Sequence, residues 1–167
     1  MGRILVPPKN APESDVVYTP EETAIEIIDH FCPWGDILDP CMGDGAFYNN
    51  LPGSKDLHHW CELSKGKDFF DFHTKVNWII SNPPWSMIKP FLIHSMEIAD
   101  DIVYFITINH YTTKARLRLI HQAGFGIKEI YNIKTPPKPW PQSGFQTAAI
   151  HIQRGWTGPI SMTGEIG

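Results

Sequence analysis

Cysteine is scarce in this chain. There are three among 167 residues, Cys32, Cys41 and Cys61. An odd number of thiols, none at metal-site spacing, argues against a disulfide framework or a cysteine metal cluster. It reads as the reduced thiols of a cytoplasmic protein. Long hydrophobic runs are also missing, and no apolar stretch approaches the length needed to cross a bilayer. The opening Met1-Gly2-Arg3-Ile4-Leu5-Val6-Pro7-Pro8 lacks the apolar region of a signal peptide. Val6 stands where a myristoylation signal carries Ser or Thr. No membrane partner is expected. Positive charge is in short supply as well, with a formal net charge of −4. That argues against a dedicated high-affinity nucleic-acid binder, which usually shows a basic face. It leaves room for an enzyme that touches nucleic acid briefly. The basic residues are uneven: Lys114, Arg116, Arg118, Lys128, Lys134 and Lys138 come late, while acids weigh on the first half. A positive rim on one edge is therefore expected. What remains is an ordinary globular composition, long enough for one domain with a real core and too short for two comfortable ones.

The chain is organised around Ile79-Ile80-Ser81-Asn82-Pro83-Pro84-Trp85. Trp78, Ile79 and Ile80 read as a short buried strand. Two prolines cannot donate ladder hydrogen bonds, so pairing must end at Asn82. Each proline also holds the residue before it extended. The result is a stiff elbow with an amide at one end and a large aromatic at the other. An exocyclic amino group on a nucleobase is a poor nucleophile, because its lone pair is delocalised. The Asn82 side-chain oxygen and the Pro83 carbonyl, as two fixed acceptors, would draw it toward tetrahedral geometry and stabilise the charge that develops on attack. Trp85 would offer a flat face to a base swung out of its stack. The plainer alternative is a proline-bounded strand end with a core tryptophan, so the case needs the upstream residues.

Residues 1–15 are rich in Pro, Asn and Ser and read as a flexible arm. Tyr18-Thr19-Pro20-Glu21-Glu22 reads as a helix start, with Thr19 as N-cap, Pro20 at the first helical position and Glu22 closing a capping box. Ala24, Ile27, Ile28 and Phe31 give it an apolar face, and Pro33-Trp34-Gly35 ends it. Residues 36–40 form a short strand ending in Asp39-Pro40. The turn Cys41-Met42-Gly43-Asp44-Gly45 lets backbone approach a ligand, followed by a short helix over residues 46–51. Tyr48 occupies the place of the third glycine of the dinucleotide fingerprint, which excludes a nicotinamide or flavin site. A second strand over residues 58–62 ends in Glu62, where doubly wound sheets commonly hold ribose hydroxyls. Asp68 with Phe69 and Phe70 sets a carboxylate beside aromatics. His58 and His59 are adjacent on a strand and point to opposite faces, which speaks against a shared metal.

Beyond Trp85, a helix spans residues 88–99 with Pro90 in its first turn. Residues 101–108 form the strongest strand, apolar on both faces and so central. A polar loop over residues 109–113, a basic helix over residues 114–123, a strand over residues 127–133, and a proline-rich loop with an exposed Trp140 follow. Residues 146–153 form the last strand, and the tail after Arg154 carries no core signal. This alternation predicts an α/β sheet, mostly parallel, with an antiparallel pair at one edge. Ligands bind beyond the carboxyl ends of such strands, where Asp39, Glu62, Asn82 and Asn109 all fall.

The order Tyr18-Thr19-Pro20, Asp39-Pro40-Cys41-Met42-Gly43-Asp44-Gly45, Glu62, Asp68-Phe69 and Asn82-Pro83-Pro84-Trp85 resembles the class I S-adenosylmethionine-dependent amino-methyltransferases. It is most similar to the γ-type DNA adenine-N6 enzymes, over residues 16–153. The resemblance implies a Rossmann-like class I methyltransferase fold and S-adenosyl-L-methionine as cofactor. Tyr18, Thr19, Pro20, Asp39, Pro40 and the Gly43 to Gly45 turn would face the methionine end. Glu62 would hold the ribose, Asp68 the cofactor's adenine amino group, and Phe69 its ring. Asn82, Pro83, Pro84 and Trp85 would form the catalytic tetrapeptide. Asparagine in its first place suggests adenine as target; no metal is implied.

The resemblance implies direct transfer with no covalent enzyme intermediate, on DNA before RNA. Unlike the γ-type enzymes, residues 16–154 read as a single domain with a short tail, residues 155–167, and no separate target-recognition domain. A protein partner could supply recognition, and the compactness fits a phage or mobile-element enzyme in a bacterial cytoplasm. RNA adenine methylation, protein glutamine methylation and a cofactor-binding subunit stay open. Glutamine enzymes usually carry tyrosine where this chain has Trp85.

Overall fold

The computed structural model describes residues 17–167; the expected N-terminal arm lies outside them. Helix α1, Glu21–Phe31, places Ala24, Ile27 and Ile28 inward at helical spacing, with Glu21 and Glu22 in the first turn where the helix dipole favours acids. Its start differs from the expectation. Pro20, not Thr19, is the N-cap, extended at ψ 139°, and no side chain caps the helix. The Pro20 carbonyl accepts from Thr23 and Ala24 at 3.1 Å each. Proline's fixed φ suits a residue just outside the helix as well as its first position, so its presence cannot choose between them.

The strands are β1 Ile37–Asp39, β2 His58–Trp60, β3 Val76–Ser81, β4 Ala99–Thr107, β5 Phe125–Asn132, β6 Thr147–Arg154 and β7 Ser161–Gly164. They form one sheet in the order β2-β1-β3-β4-β6-β5-β7. Only β6 runs against its neighbours, antiparallel to both β4 and β5. The antiparallel strands expected at an edge are therefore interior, because β7 adds itself to β5 in parallel. All four β7 residues are exposed, so the strand is held by main-chain pairing and carries no hydrophobic signature. Asn132 supplements that pairing, donating from Nδ2 to the Thr163 carbonyl at 3.0 Å.

The sheet is covered on both faces. In β4, Ile102, Tyr104 and Ile106 point into one cluster and Val103 and Phe105 into the other, the period-two alternation of a central strand. The first cluster lies under helix α2, Ile88–Ile98, through Ile88, Phe91, Leu92 and Met96. The second lies under α1 and includes Phe47, Leu51 and Trp140. Two further helices follow β4: α3, Asn109–Thr112, where a loop was expected, and α4, Lys114–Gln122, capped by Thr113 Oγ1, which accepts from the Arg116 N–H. The helix expected over residues 46–51 is a single 3-10 turn, Tyr48–Asn50. Pro52 forces Leu51 extended and stops it there. No helix among the described residues is long and apolar enough to cross a membrane.

Candidate active site

Strands β1, β2 and β3 end at the same side of the sheet, and a cavity of about 460 Å³ opens beyond them. Its floor is the turn after β1. Gly43 and Gly45 take φ of 54° and 88°, the left-handed region that favours glycine. A Cβ on Gly43 would lie 2.9 Å from the Tyr18 ring, so the turn packs flush against that side chain. Gly43→Ala is expected to cost 1–2 kcal/mol, roughly the price of the left-handed conformation, and to displace Tyr18. Thermal unfolding and ligand titration of the variant would check this.

Glu62, just past β2, reaches back to this turn. Its Oε2 accepts from the Gly43 N–H at 2.8 Å, and its Oε1 accepts from the Ser64 hydroxyl at 2.8 Å and the Ser64 N–H at 3.2 Å. Burial alone would raise its carboxyl; these donors outweigh burial and hold it below the usual range. Glu62 is thus an oriented carboxylate, and Oε2, with a single donor, keeps further acceptor capacity. Asp68 caps the next 3-10 turn, accepting from the Phe70 N–H at 3.0 Å. Phe69 is buried against Phe91, ring centroids 5.0 Å apart.

Asp39 lies beneath this floor, fully buried. Its Oδ1 accepts from the Ser81 hydroxyl at 2.5 Å and the Cys41 N–H at 3.3 Å, while Oδ2 is buried with no partner among the described residues. Burial lifts its carboxyl to about 7 against the pull of those bonds. The Cys41 thiol sits 3.1 Å from Ser81 Oγ and donates to the Asn82 carbonyl at 3.1 Å. Asp39, Ser81, Cys41 and Asn82 therefore form one network tying the turn after β1 to the elbow after β3. Burial pushes Cys41 up, and the Asp39 charge adds to it; burial pushes Cys61 up to about 12. Both thiols are protonated at neutral pH and are poor nucleophiles.

At the elbow, Asn82 Nδ2 donates to the Val17 carbonyl at 3.1 Å. A carbonyl can only accept, so the amide nitrogen must face Val17 and the oxygen is turned away from it. That oxygen is buried and has no partner among the described residues. Trp85 stands edge-on to Trp140, centroids 5.8 Å apart at 71°, and 5.8 Å from the His110 ring on α3.

No family model matches the chain, and no curated protein sequence matches it. Solved structures do. The M protein of the type I restriction enzyme EcoKI superposes with a TM-score of 0.61 at 14% identity, covering 84% of this chain and 44% of that one. A Listeria monocytogenes protein assigned to the class I S-adenosylmethionine-dependent methyltransferases gives 0.57 at 10%, covering 92% and 65%. The ribosomal protein L11 methylase of Lactobacillus delbrueckii gives 0.54 at 10%, covering 80% and 77%. The fold is that of the class I methyltransferases. This chain spans under half of the EcoKI M protein. The likenesses carry architecture and not acceptor, since a restriction-enzyme subunit and a ribosomal protein methylase share it.

Within this methyltransferase fold, the cavity is lined from one side by Tyr18, Pro40, Gly43, Glu62, Asp68 and Phe69, and from the other by Asn82, Pro83, Pro84 and Trp85. Four expected site residues do not line it. Thr19 and Pro20 lead into α1, Asp39 lies below the surface, and Gly45 turns the backbone, its N–H donating to the Met42 carbonyl at 2.8 Å. Sequence reading set Phe70 beside Asp68 without counting it among the site residues, and it missed the Val17 carbonyl, which is main chain and silent in sequence. It also misjudged Trp140, which is buried, stacked on Phe105 at 4.8 Å, and lines the cavity with Pro141. The proline-rich loop folds back over the sheet, because leaving a whole indole in water forfeits several kcal/mol of burial, on the order of 25 cal/mol per Å².

Proposed function

We propose that this protein transfers a methyl group from S-adenosyl-L-methionine to the N6 amino group of adenine in nucleic acid, DNA before RNA. The observation that carries the reading is the Asn82 side-chain oxygen: buried, unpartnered and oriented by Val17 in the wall of the cavity. A buried acceptor left without a donor costs about 1–3 kcal/mol, and an incoming amino group would relieve that cost. The donor's residues fit as well. Gly43 lets the main chain of the turn line the cavity against Tyr18, Glu62 presents a fixed carboxylate to a ligand's hydroxyls, and Asp68 with Phe69 and Phe70 supplies an acceptor beside aromatic faces. When bound, this cofactor supplies a methyl group activated on a sulfonium.

The chain's part in catalysis is positioning. Asn82 Oδ1 and the Pro83 carbonyl accept the two N–H bonds of the target amine, turning its lone pair outward and stabilising the positive charge it gains. Trp85 stacks on the base, and Trp140 stands against Trp85 as a second aromatic wall. Water leaves as the base enters, which strengthens these contacts.

The deciding experiment is transfer of labelled methyl to duplex DNA, single-stranded DNA and RNA in parallel, with nucleoside analysis of each. N6-methyladenine is the expected product. Its absence from all three, with donor binding intact, would overturn the reading. Glu62→Gln is expected to weaken donor binding about tenfold, because hydrogen bonds to a charged acceptor are worth about 1.5–3 kcal/mol; calorimetric titration measures it.

A further inference from the structure

The chain's charge is divided along its length. Residues 1–101 carry seven Lys and Arg against sixteen acids, net −9; residues 102–167 carry seven against two, Glu129 and Glu165, net +5. The fold turns that division into a polarity of the site. The donor end of the cavity is built from the acidic part, with Glu62 and Asp68 in its wall. The acceptor end, at Asn82 to Trp85, is flanked by the basic part: Trp140 and Pro141 of the loop between β5 and β6 line it, and α3 reaches Trp85 through His110.

Several basic residues away from this end are engaged. Lys67 lies 3.8 Å over the Trp60 ring, Lys75 donates to the Glu97 carbonyl, Lys128 lies 5.0 Å over Trp156, and Arg154 pairs with Asp100 at 2.8 Å. Those at the acceptor end differ. Lys114, Arg118, Lys134 and Lys138 are exposed, and among the described residues none of them joins an ion pair. Arg116 is half-buried between them in sequence, and its Nη1 is buried with no partner. Burial lowers its hold on the proton, the cost of a cation with no carboxylate beside it.

These cations lie on two segments, each of which brings an aromatic ring to the same side chain. Lys114 follows α3, whose His110 ring lies 5.8 Å from Trp85. Lys138 stands two residues before Trp140, whose ring also lies 5.8 Å from Trp85. We infer that these cations, Lys114 with Arg118 on α4 and Lys138 with Lys134 on the β5–β6 loop, bind the phosphates flanking a base drawn into the cavity. The inference rests on the function proposed above and names the surface by which the substrate is held. It also reconciles an acidic protein with a polyanionic substrate: the repelling charge sits at the donor end, and the attracting charge at the acceptor end, where contact is made. With about four cations the grip is modest and strongly salt-dependent, with a slope of log K on log salt of roughly −3 for a single strand.

The test is fluorescence anisotropy with a labelled single-stranded oligodeoxynucleotide across a salt series, on the full chain. Lys114→Glu with Arg118→Glu, and separately Lys138→Glu, are expected to weaken binding at least tenfold at low salt. The double variant should flatten the salt slope by about 1.4, two cations at roughly 0.7 each. Donor affinity should be unchanged in both, which shows that they are folded. Lys55→Glu, exposed before β2 at the opposite end of the sheet, should change neither. Unchanged affinity and slope in the variants would overturn the inference. So would poly-glutamate competing as well as the oligonucleotide at equal charge, which would reassign the surface to an acidic protein. N6-methyladenine formation with unaffected variants would sink the rim and leave the function standing. Oligonucleotide binding through the rim with no adenine methylated would do the reverse.

Discussion

Replacing Asn82 with alanine is expected to abolish methyl transfer while leaving donor affinity within about twofold of wild type. The side-chain oxygen removed is the buried acceptor that nothing else among the described residues satisfies. Removing one preorganised group that meets charge developing in a transition state costs about 10²–10³ in rate. Here the same oxygen also turns the amine's lone pair outward, so the loss should reach at least the upper end of that range. The contacts proposed for the donor lie elsewhere, on Gly43, Glu62 and Asp68, and among the described residues the hydrogen bond to the Val17 carbonyl links Asn82 to the segment entering α1. Asn82→Asp separates the two roles. It keeps an acceptor at the elbow but sets an oxygen against the Val17 carbonyl, so it should retain measurable transfer with a looser entry segment. Single-turnover transfer and calorimetric donor titration measure both quantities. Loss of donor binding in Asn82→Ala would count against the assignment.

Why these groups were legible in sequence, and others not, follows from where their information lies. The elbow is written in residue types: two prolines end β3, and no other arrangement of that strand is open to them. The same holds for Gly43 and Gly45, whose left-handed backbone is what glycine permits, and for β4, whose double-sided apolar run can only be central. Trp140 is the opposite case. Its surroundings are supplied by Phe105 and Trp85, which are distant in sequence, and the prolines around it describe a loop without saying where the loop lies. β7 was illegible for a related reason. A strand of exposed residues held by main-chain pairing to an edge leaves no pattern of side chains. The network from Asp39 through Ser81 and Cys41 to the Asn82 carbonyl likewise depends on β1 and β3 being neighbours, a fact of topology. Sequence placed Asp39 at a ligand; the structure places it one layer below, as part of that network.

That placement predicts a pH dependence of stability and of ligand choice. The Asp39 carboxyl is raised from an ordinary 3.8 to about 7, chiefly by burial. The folded state therefore holds a proton between about pH 4 and pH 7 that the unfolded chain has released. Stability from this group is full below the unfolded value and is lost as pH rises through 7. At about 1.36 kcal/mol per pH unit the loss is about 4 kcal/mol, on the order of 10 °C in Tm for a chain of this size. Glu62, held below its usual range, acts in the opposite sense and at lower pH, where its contribution is lost on acidification. Thermal unfolding of wild type and Asp39→Asn between pH 5 and 8.5 isolates Asp39: the asparagine variant should lack the decline. Parallel curves for the two proteins would show that Asp39 is ionised throughout. The same titration bears on the proposed donor. A sulfonium is a cation and the thioether left after transfer is neutral, so only the former gains from an ionised Asp39. Wild-type preference for donor over product should therefore rise between pH 6 and 8, and the Asp39→Asn preference should stay flat. A buried acid that destabilises the empty fold above neutrality would, on this account, be repaid by the positive ligand bound above it.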